Sequence, residues 1–169
     1  MKMFYEGSIK GDYKCKIKFA YELMNQTSIM KEEYEDHYHL AIQWLESVVR
    51  KLTRFEEMRH LEVEVTKQER SEALFYLGLF HEHGFGVEKS PKKSINYFIE
   101  ASGLDFASAK NKIGDCYFSG FGLKQDRQLA VGCYLEAAEQ GNSDAMVNLG
   151  TVYLNGIPNL VDKSYKKAY

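Results

Sequence analysis

Glycine returns in this chain at a fixed interval, and that interval restricts the fold more than any other feature. Gly78, Gly114 and Gly150 stand 36 residues apart, and so do Gly84, Gly120 and Gly156. Gly86 and Gly122 keep the same distance. Each member of the first set closes a matching stretch: Ala73-Leu74-Phe75-Tyr76-Leu77-Gly78, Ala109-Lys110-Asn111-Lys112-Ile113-Gly114 and Ala145-Met146-Val147-Asn148-Leu149-Gly150. A period of this length, repeated, marks an array of stacked units, because one such unit cannot bury its apolar face alone. Eleven of the 13 glycines lie from Gly78 onward, and none lies between Gly11 and Gly78.

Within a copy the pattern predicts two helices. Ala73, Leu77, Phe80 and His81, with their counterparts, form a stripe of helical period. Gly84, Gly120 and Gly156 follow the last periodic residue, where a left-handed C-cap favours glycine. The second helix is expected to start at Ser90, Asp126 or Ser164, all good N-caps, with Pro91 in the first turn. Its buried side reads Ser94, Tyr97, Phe98, Ala101 and Ser102, matched by Ala130, Cys133, Tyr134, Ala137 and Ala138. Glycine inside a helix costs about 1 kcal/mol relative to alanine. Its recurrence at 78, 114 and 150 therefore points to close helix approach. Val87 to Ser94 reappears as Val161 to Ala168, with two extra residues in the loop around Ile157-Pro158-Asn159.

These residues resemble the Sel1-like repeat, a relative of the tetratricopeptide repeat. The likeness is strongest in the second copy, at Ala109, Ile113, Gly114, Tyr117, Gly120, Gly122, Leu123, Asp126, Ala130, Tyr134, Ala137, Ala138, Gly141 and Asn142. His81 departs from the pattern where it has Tyr, and Asp105 stands where Gly141 does. The resemblance implies an all-α solenoid, a superhelix of antiparallel helix pairs whose first helices line a concave groove. It covers 71–169, divided as 71–106, 107–142 and a truncated 143–169.

The remainder reads as a degenerate copy over 1–53 and a charged insert over 54–70. Gly11-Asp12-Tyr13-Lys14-Cys15 aligns with Gly141-Asn142-Ser143-Asp144-Ala145, which sets Phe19 and Ala20 at the places of Leu77 and Gly78. Ala41 to Val49 carries the second-helix pattern, with Trp44 at the Tyr97 position and expected in the core. An enlarged loop is expected from about Asn25 to Asp36. In the insert, Phe55, Met58 and Leu61 suit a short helix, whereas Val63-Glu64-Val65 alternates. Phe4 to Asp12 aligns with Tyr134 to Asn142, so a partial helix of a preceding copy is expected at the start, and the last residues fall in the first turn of another second helix. The chain is therefore expected to be an internal segment of a longer array, with self-association through uncapped repeat ends.

Composition narrows the function. Lys+Arg 22 against Asp+Glu 24 gives a net charge of −2, spread evenly: 12 basic and 13 acidic residues in 1–70, then 10 and 11 in 71–169. No basic face is present to hold nucleic acid. No apolar run has the length of a signal core or a membrane span. Three scattered cysteines, Cys15, Cys116 and Cys133, fit free thiols in a reducing compartment. A cytoplasmic location is expected, with the secretory pathway as the alternative because of the Asn25-Gln26-Thr27 sequon and the lumenal members of the resembled family.

Apparent chemical motifs dissolve under the repeat. His81-Glu82-His83 and His37-Tyr38-His39 place their histidines two apart, on different helix faces, unlike the His-Glu-x-x-His of a zinc hydrolase. His81 occupies a Tyr position and is expected in the core; the other pair is expected at the surface or between helices. Gly84-Phe85-Gly86 and Gly120-Phe121-Gly122 lack a preceding strand and a following Lys-Ser/Thr, so they read as turns and not phosphate loops. Some cysteine-rich relatives pair thiols within a repeat, but only one copy here has two, so Cys116 and Cys133 are read as buried thiols. No catalytic residue, metal or cofactor is expected.

A surface remains. Beside the core stripe of successive first helices stand Tyr76 and Leu79, Lys112 and Asp115, and Asn148 and Thr151. Lys112 and Asn148 offer donors to a peptide backbone or a carboxylate. The expected function is a non-catalytic scaffold or adaptor that binds a partner protein or peptide on the concave helical surface. The alternative is a regulatory or substrate-docking segment of a larger enzyme such as a kinase.

Overall fold

The computed structural model describes residues 13–26, 35–55 and 65–156. Among them the backbone forms seven α-helices and no strand: α1 Tyr13–Gln26, α2 Glu35–Phe55, α3 Lys67–His83, α4 Pro91–Gly103, α5 Ala107–Ser119, α6 Arg127–Glu139 and α7 Ser143–Asn155. Two compact units divide the chain, 1–104 with α1–α4 and 105–169 with α5–α7.

In the first unit α1 packs on α2 and α3, and α3 packs on α4. Phe19 and Ala20 are fully buried, as are Leu45, Val48, Leu77 and Phe80. Trp44 packs partly buried against this core, its ring 5.3 Å from that of Phe19. Phe75 meets Phe98 and His81 stacks on Tyr97, so later residues of α3 face earlier residues of α4 and the pair is antiparallel. Gly78 makes this approach possible. A Cβ there would lie 2.4 Å from Cε1 of Phe98, far inside van der Waals contact, so the ring occupies the place a side chain would take.

The start of α3 differs from the sequence expectation of an irregular insert through Arg70. Thr66 caps the helix: its hydroxyl accepts from the Glu69 N–H at 3.1 Å, and the Glu69 carboxylate accepts from the Thr66 N–H at 2.8 Å. This reciprocal box satisfies two backbone donors that a helix start leaves open. Val65 is buried in the core and not part of a strand. Likewise α1 runs through Gln26 and α2 begins at Glu35, so both rims of the expected Asn25–Asp36 loop are helical. Tyr38 is buried, while His39 is exposed and its Nδ1 lies 2.9 Å from the Glu35 carbonyl oxygen.

The second unit repeats the α3–α4 hairpin in α5 and α6. A Cβ on Gly114 would lie 2.6 Å from Cε1 of Tyr134. Gly84 and Gly120 both cap in the left-handed region, φ +73° and +79°. In each case the glycine N–H and that of the next residue bond to one carbonyl, of Phe80 or Cys116. The loops close alike: the Ser90 N–H bonds to the His81 carbonyl and the Asp126 N–H to that of Tyr117, both at 2.9 Å. Gly156 departs from the expected left-handed cap. Its φ is +69° but ψ is 163°, a combination open essentially to glycine alone. This cap precedes the loop that carries two additional residues. Asp105 takes φ +62° where Gly141 takes +84°, so the aspartate keeps the left-handed conformation that glycine holds in the next copy.

The expected helix of a preceding copy, the interior of the enlarged loop, Met58, Leu61 and Val63 of the insert, and the second helix from Ser164 lie outside the described residues.

Candidate functional site

In the second unit α5 and α7, the first helices of two copies, run side by side and parallel. Asn142 Nδ2 donates to Ser108 Oγ at 3.2 Å near their starts. One turn or two further on, Asn148 Nδ2 donates to Asn111 Oδ1 at 3.0 Å and to Asp115 Oδ1 at 3.1 Å. A carboxylate only accepts, so the Asn148 nitrogen is the atom that faces Asp115. The Tyr134 hydroxyl, from α6, donates to the same Asp115 oxygen at 2.9 Å. Burial, followed by the adjacent Asp115 carboxylate, pushes the Tyr134 phenol far above its ordinary value.

Three of the six sequence-selected residues, Asp115, Asn148 and Thr151, line one cleft of about 430 Å³. Phe118 and Arg127 line it too, with the Arg127 guanidinium 5.6 Å above the Phe118 ring centroid. The Thr151 hydroxyl donates to the Val147 carbonyl at 3.0 Å, and that of Ser119 to the Asp115 carbonyl at 2.7 Å. Lys112 is half-buried and outside this lining.

Tyr76 and Leu79, both half-buried, belong to the first unit. Tyr76 packs against the core there, its ring 6.3 Å from that of Tyr21 in an edge-on contact. Burial first, then Glu72 and Tyr21, push its phenol up to about 12. Tyr21 holds in α1 the repeat position that Asp115 holds in α5, and Tyr76 holds in α3 that of Asn148 in α7. The same inter-repeat contact is therefore made twice, once by two aromatic rings and once by a carboxylate and a carboxamide.

His81 is buried and stacks on Tyr97 with ring centroids 5.6 Å apart, as its repeat position implies. No group of three or more His, Cys, Asp or Glu side chains among the described residues is placed to hold a metal ion. Cys15, Cys116 and Cys133 form no disulfide, and burial pushes the Cys133 thiol up.

Residues 71–106, 107–142 and 143–169 each match the Sel1 repeat model, together more than half of the chain. The chain belongs to the Sel1 repeat family. A solved structure, that of a Sel1 repeat protein from Oxalobacter formigenes, is 23% identical, covers 99% of this chain and superimposes with a TM-score of 0.73. The match spans 57% of that protein's length. No curated protein matches this chain. The fold is an all-α repeat solenoid, and Sel1 repeats are as a class protein-interaction repeats, typically of non-catalytic scaffolds. Among the described residues no helix is long and apolar enough to cross a membrane.

Four residues of the cleft and its floor lie outside the six positions that the repeat pattern singles out. Tyr134 fills the core, as its repeat position implies, while its hydroxyl reaches Asp115. Asn111 carried a signal, being the polar residue at a position held by Phe75 and Val147 in the other copies. Phe118 and Arg127 have no such mark, because their proximity depends on how α5 and α6 cross.

Proposed function

We propose that this chain is a non-catalytic Sel1 scaffold that binds a partner protein or peptide through the exposed sides of its first helices. The observation that carries this reading is the Sel1 match over three consecutive copies, 71–169. The surface of α7 supports it. Val147 is 68% exposed and Met146 50%, whereas Asn111, the α5 counterpart of Val147, is 5% exposed beneath Asn148. In α5 the matching position lies under the following first helix, so this face of α7 suits a further helix, of a partner protein or of another copy. The six positions singled out above belong to this reading, with Asn148 and Asp115 acting chiefly on each other. Free thiols support a reducing, cytoplasmic setting.

Affinity capture with quantitative mass spectrometry tests the proposal. The chain is compared with a Lys112→Glu, Thr151→Lys variant of equal melting temperature and with an unrelated helical repeat as control. Partners enriched on the chain and lost on the variant are expected. Equal retention by both would reject this surface, and no enrichment over the control would reject the scaffold reading itself.

A further inference from the structure

The cleft of the second unit has a one-sided hydrogen-bonding character. At about 430 Å³ it falls in the range of pockets that hold a small ligand, or a side chain with its flanking backbone. Tyr134 gives its one hydroxyl proton to Asp115 Oδ1, and Asn148 gives both amide protons to Asn111 and Asp115. The hydroxyl protons of Ser119 and Thr151 go to carbonyls on their own helices. Asp115 is an anion with no proton to give. Four lining side chains can thus meet a ligand only as acceptors, and a fifth is a carboxylate.

What lies at the mouth agrees in part and sharpens the test. Phe118, 38% exposed, has an aromatic face on which a guanidinium already rests, that of Arg127. Arg127 and Asn155 are the exposed lining side chains that keep protons to donate, and Arg127 adds a positive charge opposing that of an incoming cation. An anionic ligand would meet Arg127 at the rim but only acceptors and Asp115 beneath it. A donor-rich cation complements these acceptors and the Asp115 carboxylate.

The geometry points to a site for the ammonium or guanidinium group of a lysine or arginine side chain carried by a partner peptide. This rests on the protein-binding reading above and specifies the chemistry of the partner. The volume exceeds that of one such side chain, which leaves room for the adjoining peptide backbone.

The test uses the full chain and blocked heptapeptides of alanine and glycine that differ only at the central residue: arginine, lysine, norleucine or glutamate. Spermidine serves as a free amine. Binding is read from the side-chain amide NMR signals of Asn148 and Asn155. The arginine and lysine peptides are expected to shift both signals and to bind about tenfold tighter than the other two, as one charge-assisted hydrogen bond would give. Asp115→Asn, which keeps an acceptor for Tyr134, lowers that affinity about tenfold, and Arg127→Gln raises it severalfold by removing the opposing charge.

Preference for the glutamate peptide, or weaker binding after Arg127→Gln, would overturn the inference. So would spermidine binding as tightly as the peptides, which makes the cleft a free-amine site. Arg127 is exposed, so its variant decides by sign even where Asp115→Asn does not fold. A captured protein partner indifferent to both substitutions, together with silent peptides, removes the cleft assignment and leaves the scaffold reading intact.

Discussion

The carboxamide of Asn148 reaches back one repeat, across 33 residues, to sit 3.1 Å from Oδ1 of Asp115 and 3.0 Å from Oδ1 of Asn111. A single side chain thus joins two positions on the preceding first helix. Asn148→Ala removes both donors and leaves the Asn111 carbonyl without a partner at a site 5% exposed. The expected loss is about 1–3 kcal/mol. Urea unfolding of the two single variants and of Asn111→Ala, Asn148→Ala measures the coupling. Strict additivity would show that the bond contributes nothing.

Two helix-interior glycines, Gly78 and Gly114, should invert the usual effect of alanine. Gly78→Ala and Gly114→Ala drive a Cβ to 2.4 and 2.6 Å from the rings of Phe98 and Tyr134. Both rings are buried, so overpacking is expected to cost about 1–3 kcal/mol. Gly132→Ala in α6 meets nothing within 4 Å and should stabilise by about 0.5–1 kcal/mol. Thermal melts of the three variants separate the cases; three changes of the same sign would contradict the close-approach role.

Loss of the α3 cap is measurable on its own. Thr66→Ala deletes the acceptor for the Glu69 N–H and should lower stability by about 1 kcal/mol, with Thr66→Ser recovering most of it. Amide hydrogen exchange in the first turn of α3 provides the local readout.

His81 gives the stability a definite pH response. Burial holds its imidazole below the ordinary value of 6.5; the Glu88 carbonyl opposes this, Lys93 adds to it and Glu46 opposes it. The unfolded chain therefore binds a proton more readily than the folded one. Stability is full above about pH 6.5 and falls as the pH drops from there through the lowered folded value. His81→Tyr, the residue type of the other copies, should flatten this difference in urea midpoints measured from pH 7 to 5. An unchanged slope would place the titration elsewhere.

The repeat and its core were legible in the sequence because each depends on periodicity. Leu77, Phe98, Ala137 and Leu149 are buried where the 36-residue alignment sets them. The Thr66-Lys67-Gln68-Glu69 box was equally visible, since its spacing is a local signal, yet its surroundings disguised it as insert. The cleft was less accessible. Asn148 looked like a free donor on an exposed flank, and only the distance between α5 and α7 reveals that its protons are already engaged. The pairing of Arg127 with Phe118 depends on a crossing of helices that no interval in the chain records.

The contact made by Tyr21 with Tyr76 and again by Asp115 with Asn148 has a consequence for modular engineering. Each first helix carries a mate for one neighbour, in a chemistry that the other contact does not share. Grafting the α7 segment behind α1 would press a carboxamide against the Tyr21 ring, and grafting α3 behind α5 would bring a phenol ring to a carboxylate that binds amide protons. Shuffled arrays of these units should assemble poorly although their first helices share one repeat pattern. The order of the copies is written into their mating surfaces.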